Sequence, residues 1–194
     1  MYAKLILSLL STAVGLTAYA IYAQDMFRGR TQPHIYTWLI WLITQGTAVA
    51  GLWYGGGGIG ALSLTVGLVF IFLVFLLSFK RGTKNITKGD TITLVAALCA
   101  ILVWWLLNSP VLAVIMVTLI DLSGYIPSIR KSFQEPWSES IPAWLCFFAC
   151  NVLAITALKE YNWLTVSYIA ATGTANLILL AVCLARRKVI ARPY

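Results

Sequence analysis

Residues 59–79 read IGALSLTVGLVFIFLVFLLSF, a stretch without a single charge, and Lys80 and Arg81 follow it directly. A bilayer core about 30 Å thick is crossed by roughly 20 apolar residues in a helix. The apolar residues form one continuous block instead of the spaced pattern of an amphipathic helix, so a water-soluble core accounts for them poorly. This stretch therefore predicts a helix that crosses a membrane.

The composition of the whole chain agrees with that prediction. Of the 194 residues, 60% are hydrophobic and only 10% are charged, and the mean hydropathy is +0.86. A soluble domain carries about a quarter charged residues. The net charge of +8 raises the question of nucleic acid. The basic residues, however, form short clusters between apolar blocks, which is typical of topology signals, and we expect no nucleic-acid partner.

The same pattern recurs along the chain and predicts an all-α transmembrane protein with seven helices. The punctuation between the blocks supports this division: Gly55–Gly58 separates the second from the third, and Asn108-Ser109-Pro110 supplies an N-cap and a first helical residue. The tetraglycine is interpreted as a flexible loop. The predicted spans lie near Leu5–Ala23, Pro33–Tyr54, Ile59–Phe79, Thr91–Leu107, Pro110–Ile126, Ile141–Leu158 and Asn162–Ala185.

The lysines and arginines predict the orientation, because cytoplasmic loops carry an excess of them. With seven spans, only Lys4 and Lys159 fall on one side of the membrane. The N-terminus is therefore expected outside and the C-terminus in the cytoplasm, in a plasma membrane or a bacterial inner membrane. The other side holds Arg28, Arg30, Lys80, Arg81, Lys84, Lys88, Arg130, Lys131, Arg186, Arg187, Lys188 and Arg192.

An internal repeat divides the predicted spans into two sets of three. A shift of 103 residues places Tyr22 on Tyr125, Pro33 on Pro136, Trp41 on Trp144 and Leu42 on Leu145. Both copies run from a helix end through a basic loop with a proline into a helix that carries tryptophan. One extra span between them makes the copies parallel. The predicted units are a first three-helix bundle (1–82), a basic linker with an inverting helix (83–109) and a second bundle with a basic tail (110–194).

The second copy carries a family likeness in residues 124–131, GYIPSIRK, and residues 137–144, WSESIPAW. This three-plus-one-plus-three plan resembles the PQ-loop and SWEET transporter superfamily, in which a Pro-Gln pair ends the first helix of each repeat. Here Pro127 matches the proline and Ser128 replaces the glutamine, while Gln24-Asp25 stands at the corresponding place in the first repeat. The chain is therefore similar to a divergent member that lacks both dipeptides. The resemblance implies a carrier with its solute between two three-helix bundles.

Asp121 is the one acid that we place well inside a span. A carboxylate near mid-membrane costs a few kcal/mol on insertion scales, so it faces a wet cavity or a partner. One interpretation is a proton or cation site. The other is a hydrated residue near the cytoplasmic helix end, bonded to Ser123 or to a neighbouring helix. Tyr125 lies four residues on and shares the face of Asp121, so the two predict one polar patch.

The last span carries a polar stripe, because Tyr168, Thr172 and Asn176 recur every four residues. In the family that the chain resembles, an asparagine in the third helix of each repeat binds solute, which implies a substrate site at Asn176. The first repeat offers only Ser63 and Thr65 in the corresponding helix. Interhelical hydrogen bonding is the alternative interpretation of the stripe, and it is preferred for Thr172.

Further candidates lie in the second helix of each repeat. Gln45 and Asn151 either line a pathway or join helices, and the structural role is preferred. Trp41 and Trp144 either pack at the repeat interface or stack on a ligand ring, and packing is preferred. Pro127 weakens the helix end that it occupies, which predicts a hinge for cytoplasmic gating.

Three functional classes follow from these residues. The first is a carrier that moves a small polar solute, with a proton as a candidate second solute, by alternating access between the repeats. The second is a receptor, sensor or sorting protein that binds a ligand on the same scaffold without transporting it. The third, an enzyme, is not expected, because the single histidine, His34, has no metal-binding cluster around it. No cofactor is expected, and the expected partners are the lipid bilayer and the solute, with homo-oligomers left open.

Overall fold

The structure is a computed structural model that describes residues 2–28, 35–81, 88–125, 129, 132–133 and 136–191. Within these ranges the chain forms seven α-helices and two short 3-10 helices, Gly58–Ala61 and Pro136–Ser138, and no strand. The α-helices are α1 (Tyr2–Phe27), α2 (Ile35–Tyr54), α3 (Leu62–Arg81), α4 (Lys88–Leu107), α5 (Pro110–Ser123), α6 (Ile141–Ala157) and α7 (Trp163–Arg187).

The predicted all-α class and the seven helices are confirmed, and several boundaries are corrected. α1 extends beyond the predicted Leu5–Ala23 by about a turn at its C-terminal end. Ile59 belongs to a 3-10 turn and not to α3, and α5 ends at Ser123 and not at Ile126. Asn108 turns the chain between α4 and α5 with a φ of 46°, and Pro110 then occupies the first turn of α5 as expected.

Three helical segments of the described chain are long and apolar enough to cross a membrane. They are Tyr2–Phe27, Gly58–Arg81 and Trp163–Arg187. Shorter apolar helices lie at Leu94–Leu107, Pro110–Ser123 and Ile141–Ala157. These helices are compatible with a membrane protein, whereas a passage by all seven helices stays a prediction.

On α1 the small and polar side chains are buried and the large apolar ones are exposed, the opposite of a helix on a water-soluble protein. Its buried face carries Ser8, Ser11 and Gly15, whereas Ile6 and Leu9 are more than half exposed. A soluble protein buries its large apolar side chains, and a broad exposed apolar surface indicates a membrane or a partner. The surface of α1 therefore suits contact with lipid tails, and its small polar face is used for packing.

The helices pack in a definite pattern. α1 lies between α3 and α6, α2 contacts α3 and α5, and α7 contacts α5 and α6. Among the described residues α4 packs against α2 and α5 alone. The six other helices thus surround one interior, and α4 lies outside them.

The tetraglycine Gly55–Gly58, which we call the glycine turn, is ordered by contacts with the α6–α7 loop. The amide of Lys159 donates to the carbonyl of Gly57 over 3.0 Å, and Nδ2 of Asn162 donates to the carbonyl of Gly55 over 2.7 Å. Gly56 and Gly58 have φ values of 79° and 58°, which residues with a side chain rarely adopt. The loop that the sequence predicts to be flexible is thus joined by hydrogen bonds to the α6–α7 loop.

Candidate functional site

A central cavity of about 850 Å³ lies among six of the seven helices, and α4 contributes no lining residue to it. On α1 the lining runs from Thr12 to Asp25, which is about 20 Å at the helical rise of 1.5 Å per residue. Each of the eight residues predicted from the sequence to bind solute or line a pathway lies on its wall. These are Gln45 and Trp41 of α2, Asp121 of α5, Tyr125 just after α5, Trp144 and Asn151 of α6, and Tyr168 and Asn176 of α7.

Asp121 is 4% exposed and is held by two neighbouring helices. Thr44 Oγ1 of α2 donates to its Oδ1 over 2.8 Å, and the hydroxyl of Tyr168 on α7 donates to the same oxygen over 3.3 Å. The hydroxyl of Ser123 instead bonds the carbonyl of Ile120 in its own helix. Asp121 is therefore bonded by neighbouring helices and not by Ser123. Its carboxylate also borders the cavity.

The polar stripe on α7 faces inward along its whole length. Asn176 Oδ1 accepts a 2.9 Å hydrogen bond from the hydroxyl of Tyr125, and Thr172 Oγ1 accepts one of 3.3 Å from Nδ2 of Asn151. Tyr168, Thr172 and Asn176 are all buried. The stripe therefore makes hydrogen bonds to neighbouring elements, which was the alternative interpretation of its sequence pattern. The same three residues also line the cavity.

Gln45 and Asn151 share a setting that their sequence positions do not reveal. Gln45 of α2 faces Gly67 of α3, and Asn151 of α6 faces Gly173 of α7. A Cβ on Gly67 would lie 3.0 Å from Gln45 Nε2, and a Cβ on Gly173 would lie 3.2 Å from Asn151 Cβ. A side chain at either glycine would therefore require the amide side chain to shift by a few tenths of an ångström. Both amides are bonded, because Gln45 Nε2 also donates to the carbonyl of Leu64 over 2.9 Å.

The two matched tryptophans both combine packing with exposure to the cavity. The ring of Trp41 lies 5.2 Å from that of Trp38, edge to face. Trp144 lies 6.1 Å from the ring of Tyr125, and its Nε1 donates to Glu139 Oε2 over 3.0 Å. Aromatic walls of this kind can pack on one another and still present ring faces to a ligand.

Several lining residues were missed by the sequence reasoning, among them Tyr19, Asp25 and Glu139. Thr44, which does not line the cavity but bonds Asp121, was missed as well. A usable signal existed on α1, where small or polar residues recur on one face at helical spacing. Thr44 gave no such signal, because one threonine in an apolar helix normally bonds its own backbone. The residues of the α1 face are Ser8, Ser11, Thr12, Gly15, Tyr19 and Tyr22.

The cavity is closed toward the glycine turn and extends to the opposite helix ends. On the closed side Ser11 Oγ donates to the carbonyl of Cys150 over 2.8 Å, and Ser8 Oγ donates to the carbonyl of Ile59 over 2.5 Å. Lys4 Nζ donates to the carbonyl of Leu158 over 2.5 Å. Asp25 and Glu139 line the other end, where α1 ends and α6 begins.

Pro127, the predicted gating hinge, and His34 lie outside the described residues. No family model, curated protein or solved structure matches this chain. The resemblance to the PQ-loop and SWEET superfamily therefore depends on residues 124–131 and 137–144 alone, and the cavity is the structural feature that bears on function.

Proposed function

We propose that this protein is a membrane carrier that moves a small polar solute by alternating access between two three-helix bundles. The observation that carries the proposal is the single central cavity, which is walled by all six helices of the two predicted bundles and by none of the linker helix. Ligand sites in carriers built from repeats lie at the interface between the repeats. A volume of about 850 Å³ suits a metabolite-sized solute.

The packing of the helices supports two repeats. If α1, α2 and α3 correspond to α5, α6 and α7, each contact in one half should have a counterpart in the other. The α1–α3 contact pairs with α5–α7, α2–α3 pairs with α6–α7, and α1–α6 pairs with α5–α2. A chance bundle would have no reason to repeat this pattern.

The distribution of basic residues supports a cavity mouth on the cytoplasmic side. Arg81 and Arg187 lie at the mouth end, with Arg81 5.0 Å above the ring of Phe27 and Arg187 4.5 Å above that of Trp137. Lys4 and Lys159 lie at the closed end. By the positive-inside rule the mouth faces the cytoplasm, so the conformation is the inward-facing state of the proposed cycle.

The orientation is tested by labelling single cysteines in intact cells with a membrane-impermeant maleimide. Lys159→Cys should be labelled from outside, and Lys188→Cys only after the cells are opened. Variants that lack the native cysteines provide the background. Labelling of Lys188→Cys in intact cells would contradict the proposed orientation.

The carrier proposal is tested by flux in proteoliposomes with a panel of sugars, amino acids, vitamins and ions. We expect exchange of at least one solute, and we expect Asp121→Asn and Asn176→Ala to reduce it about tenfold or more. The first removes the negative charge from the cavity wall, and the second removes the amide that accepts from Tyr125. Ser123→Ala and Thr174→Val are matched controls on the same helices. Their hydroxyls are exposed and bond the carbonyls of Ile120 and Ala170 in their own helices.

The outcomes separate the functional classes. Binding of a solute without flux would replace the carrier by a receptor, sensor or sorting protein on the same scaffold. Uptake that depends on pH in the natural protein, and loses that dependence in Asp121→Asn, would identify a proton as the second solute. Tyr168 is the titratable side chain bonded to that carboxylate.

A further inference from the structure

The charged residues of this chain are distributed unequally around the cavity. The chain has 14 lysines and arginines and 6 acids, yet Asp25, Asp121 and Glu139 line the cavity and no described lysine or arginine does. Half of the acids thus meet one internal surface in a basic protein. In an interior of low dielectric constant such a surface favours a positive ligand over a neutral or negative one.

Asp121 is the residue of α5 that lines the cavity. Both of its hydrogen bonds, from Thr44 and from Tyr168, reach Oδ1. Among the described residues no donor reaches Oδ2. A carboxylate that is 4% exposed gains from a counter-charge, because burial without one is costly. The buried hydroxyl of Ser63, which lines the cavity from α3, has no hydrogen-bond partner within the described ranges.

Aromatic side chains form much of the remaining wall. Nine of the 29 lining residues are aromatic, against 13% of the whole chain. Tyr19 and Trp144 both contact Phe147, with ring centroids 5.5 and 6.1 Å apart. Ring faces attract ammonium groups, most strongly where water is excluded, and methylated ammonium ligands are bound in this way.

The amide groups of the wall are partly engaged with neighbouring residues. Gln45 Nε2, Asn151 Nδ2 and Asn176 Oδ1 bond the carbonyl of Leu64, the hydroxyl of Thr172 and the hydroxyl of Tyr125. A polyhydroxylated solute would share the amides with these bonds, whereas an ammonium group needs only the carboxylate and the ring faces. Within the described residues no three His, Cys, Asp or Glu side chains are grouped as a bound metal ion would require.

Arg187 is one of the basic side chains at the mouth end, and its guanidinium is held by neighbouring groups. It donates to the carbonyls of Pro136 and Glu139 over 3.0 and 2.7 Å and stacks on Trp137. It does not line the cavity, so the charged side chains of the described lining are the three acids.

We infer that the cavity binds a small organic cation, a primary or methylated amine whose charge pairs with Asp121 and whose carbon groups contact the aromatic wall. This inference rests on the proposed carrier function in one respect, namely that the bound cation is also the solute that is transported. Binding itself can be measured without transport.

The test compares choline with 3,3-dimethylbutan-1-ol, which has nearly the same shape and no charge. The full-length protein in lipid nanodiscs is titrated with each, and binding is followed by thermal stability and by tryptophan fluorescence. We expect choline to bind at least about tenfold more tightly than the alcohol, since the alcohol lacks both the ion pair and the cation–π contacts. Benzyltrimethylammonium serves as a second cation with an aromatic group.

Asp121→Asn should remove the preference for the cation, whereas Asp121→Glu should retain part of it and Ser123→Ala all of it. Trp144→Leu should weaken both cations more than the alcohol, because only the cations lose a cation–π contact. This variant separates the aromatic wall from the carboxylate and provides a test if the Asp121 variants fail to fold. Equal binding of choline and the alcohol, or binding of neither cation, would overturn the inference.

The two proposals fail separately. Cations that bind to the nanodiscs but do not cross proteoliposomes would support this inference and contradict the carrier. A neutral solute that is transported, and is not displaced by either cation, would support the carrier and contradict the organic cation.

Discussion

Thr44 Oγ1 lies 2.8 Å from Oδ1 of Asp121, so a helix of the first predicted bundle holds the carboxylate of the second. The bond crosses the interface at which alternating access would move the bundles. Tyr168 reaches the same oxygen from α7. The position of the carboxylate is therefore set by three helices, and a change in their packing would change what the cavity presents to a ligand.

Replacement of Thr44 by valine should destabilise the protein by about 0.5–2 kcal/mol, because it removes an interhelical hydrogen bond while keeping the shape of the side chain. Thr44→Ser should behave like the natural protein. Thr47→Val is the matched control, since Thr47 is buried on the same helix and bonds the carbonyl of Ile43 in that helix. Reversible unfolding in mixed micelles measures the effect, and equal losses for Thr44→Val and Thr47→Val would contradict it.

Gly67→Ala should impair solute binding more than folding. Its Cβ would lie 3.0 Å from Gln45 Nε2 and 3.3 Å from the hydroxyl of Tyr19, at the wall of the cavity. The nearest neighbour is the far end of a flexible side chain, so it can move at a small cost to folding. Its movement displaces an amide of the cavity wall, and we expect a loss of affinity of roughly fivefold or more. Solute titrations measure the loss. The control is Gly46→Ala, whose Cβ would have its nearest neighbour at 3.9 Å. A similar loss of affinity in that variant would show that crowding at Gly67 is not the cause.

Gly60→Ala should open the closed end of the bundle. A Cβ at this position would lie 2.6 Å from both the amide nitrogen and Cα of Leu158, and a backbone cannot yield as a side chain can. We expect a loss of about 1–3 kcal/mol and faster labelling of Cys150 by an impermeant maleimide added outside. Cys150 is buried and borders the cavity. Labelling at the natural rate, judged against Cys150→Ala, would show that the contact does not close that end.

Asn162 combines two roles that substitutions can separate. Its Oδ1 caps α7 by accepting from the amides of Leu164 and Thr165, and its Nδ2 donates to the carbonyl of Gly55. Asn162→Asp should keep the cap and lose the link to the glycine turn. Asn162→Ala should lose both and destabilise the protein by about 1 kcal/mol more than the aspartate. Unfolding curves of the two variants test this, and equal stabilities would show that the cap contributes nothing.

The helical elements were predictable from local features. Each apolar block is long enough to form a helix. Pro110 and Asn162 mark helix starts, because proline suits the first helical turn and the asparagine side chain caps a helix. The ends were less predictable. The 3-10 turn at Gly58–Ala61 and the early end of α5 depend on the neighbouring chain, which the apolar pattern does not contain.

The candidate residues were predictable as a set, and their partners were not. Polar side chains in apolar helices avoid lipid, so Asp121, Asn151 and Asn176 were expected to face an interior. Nothing in their spacing pairs Asn176 with Tyr125 or Asp121 with Thr44. Those pairings join residues 51 and 77 positions apart, and they depend on how the helices cross.

The amino-acid sequence by itself determined that this chain folds into apolar helices with a few inward polar groups, because hydropathy and backbone preference act over a handful of neighbouring residues. Only the tertiary structure decided that these groups meet around one cavity, that α4 stays outside it, and that the glycine turn closes one end. Each of these outcomes depends on helix crossings, where Gly67 and Gly173 make room for amides on another helix. Such crossings arise from packing between residues distant in the chain, and no local pattern encodes them.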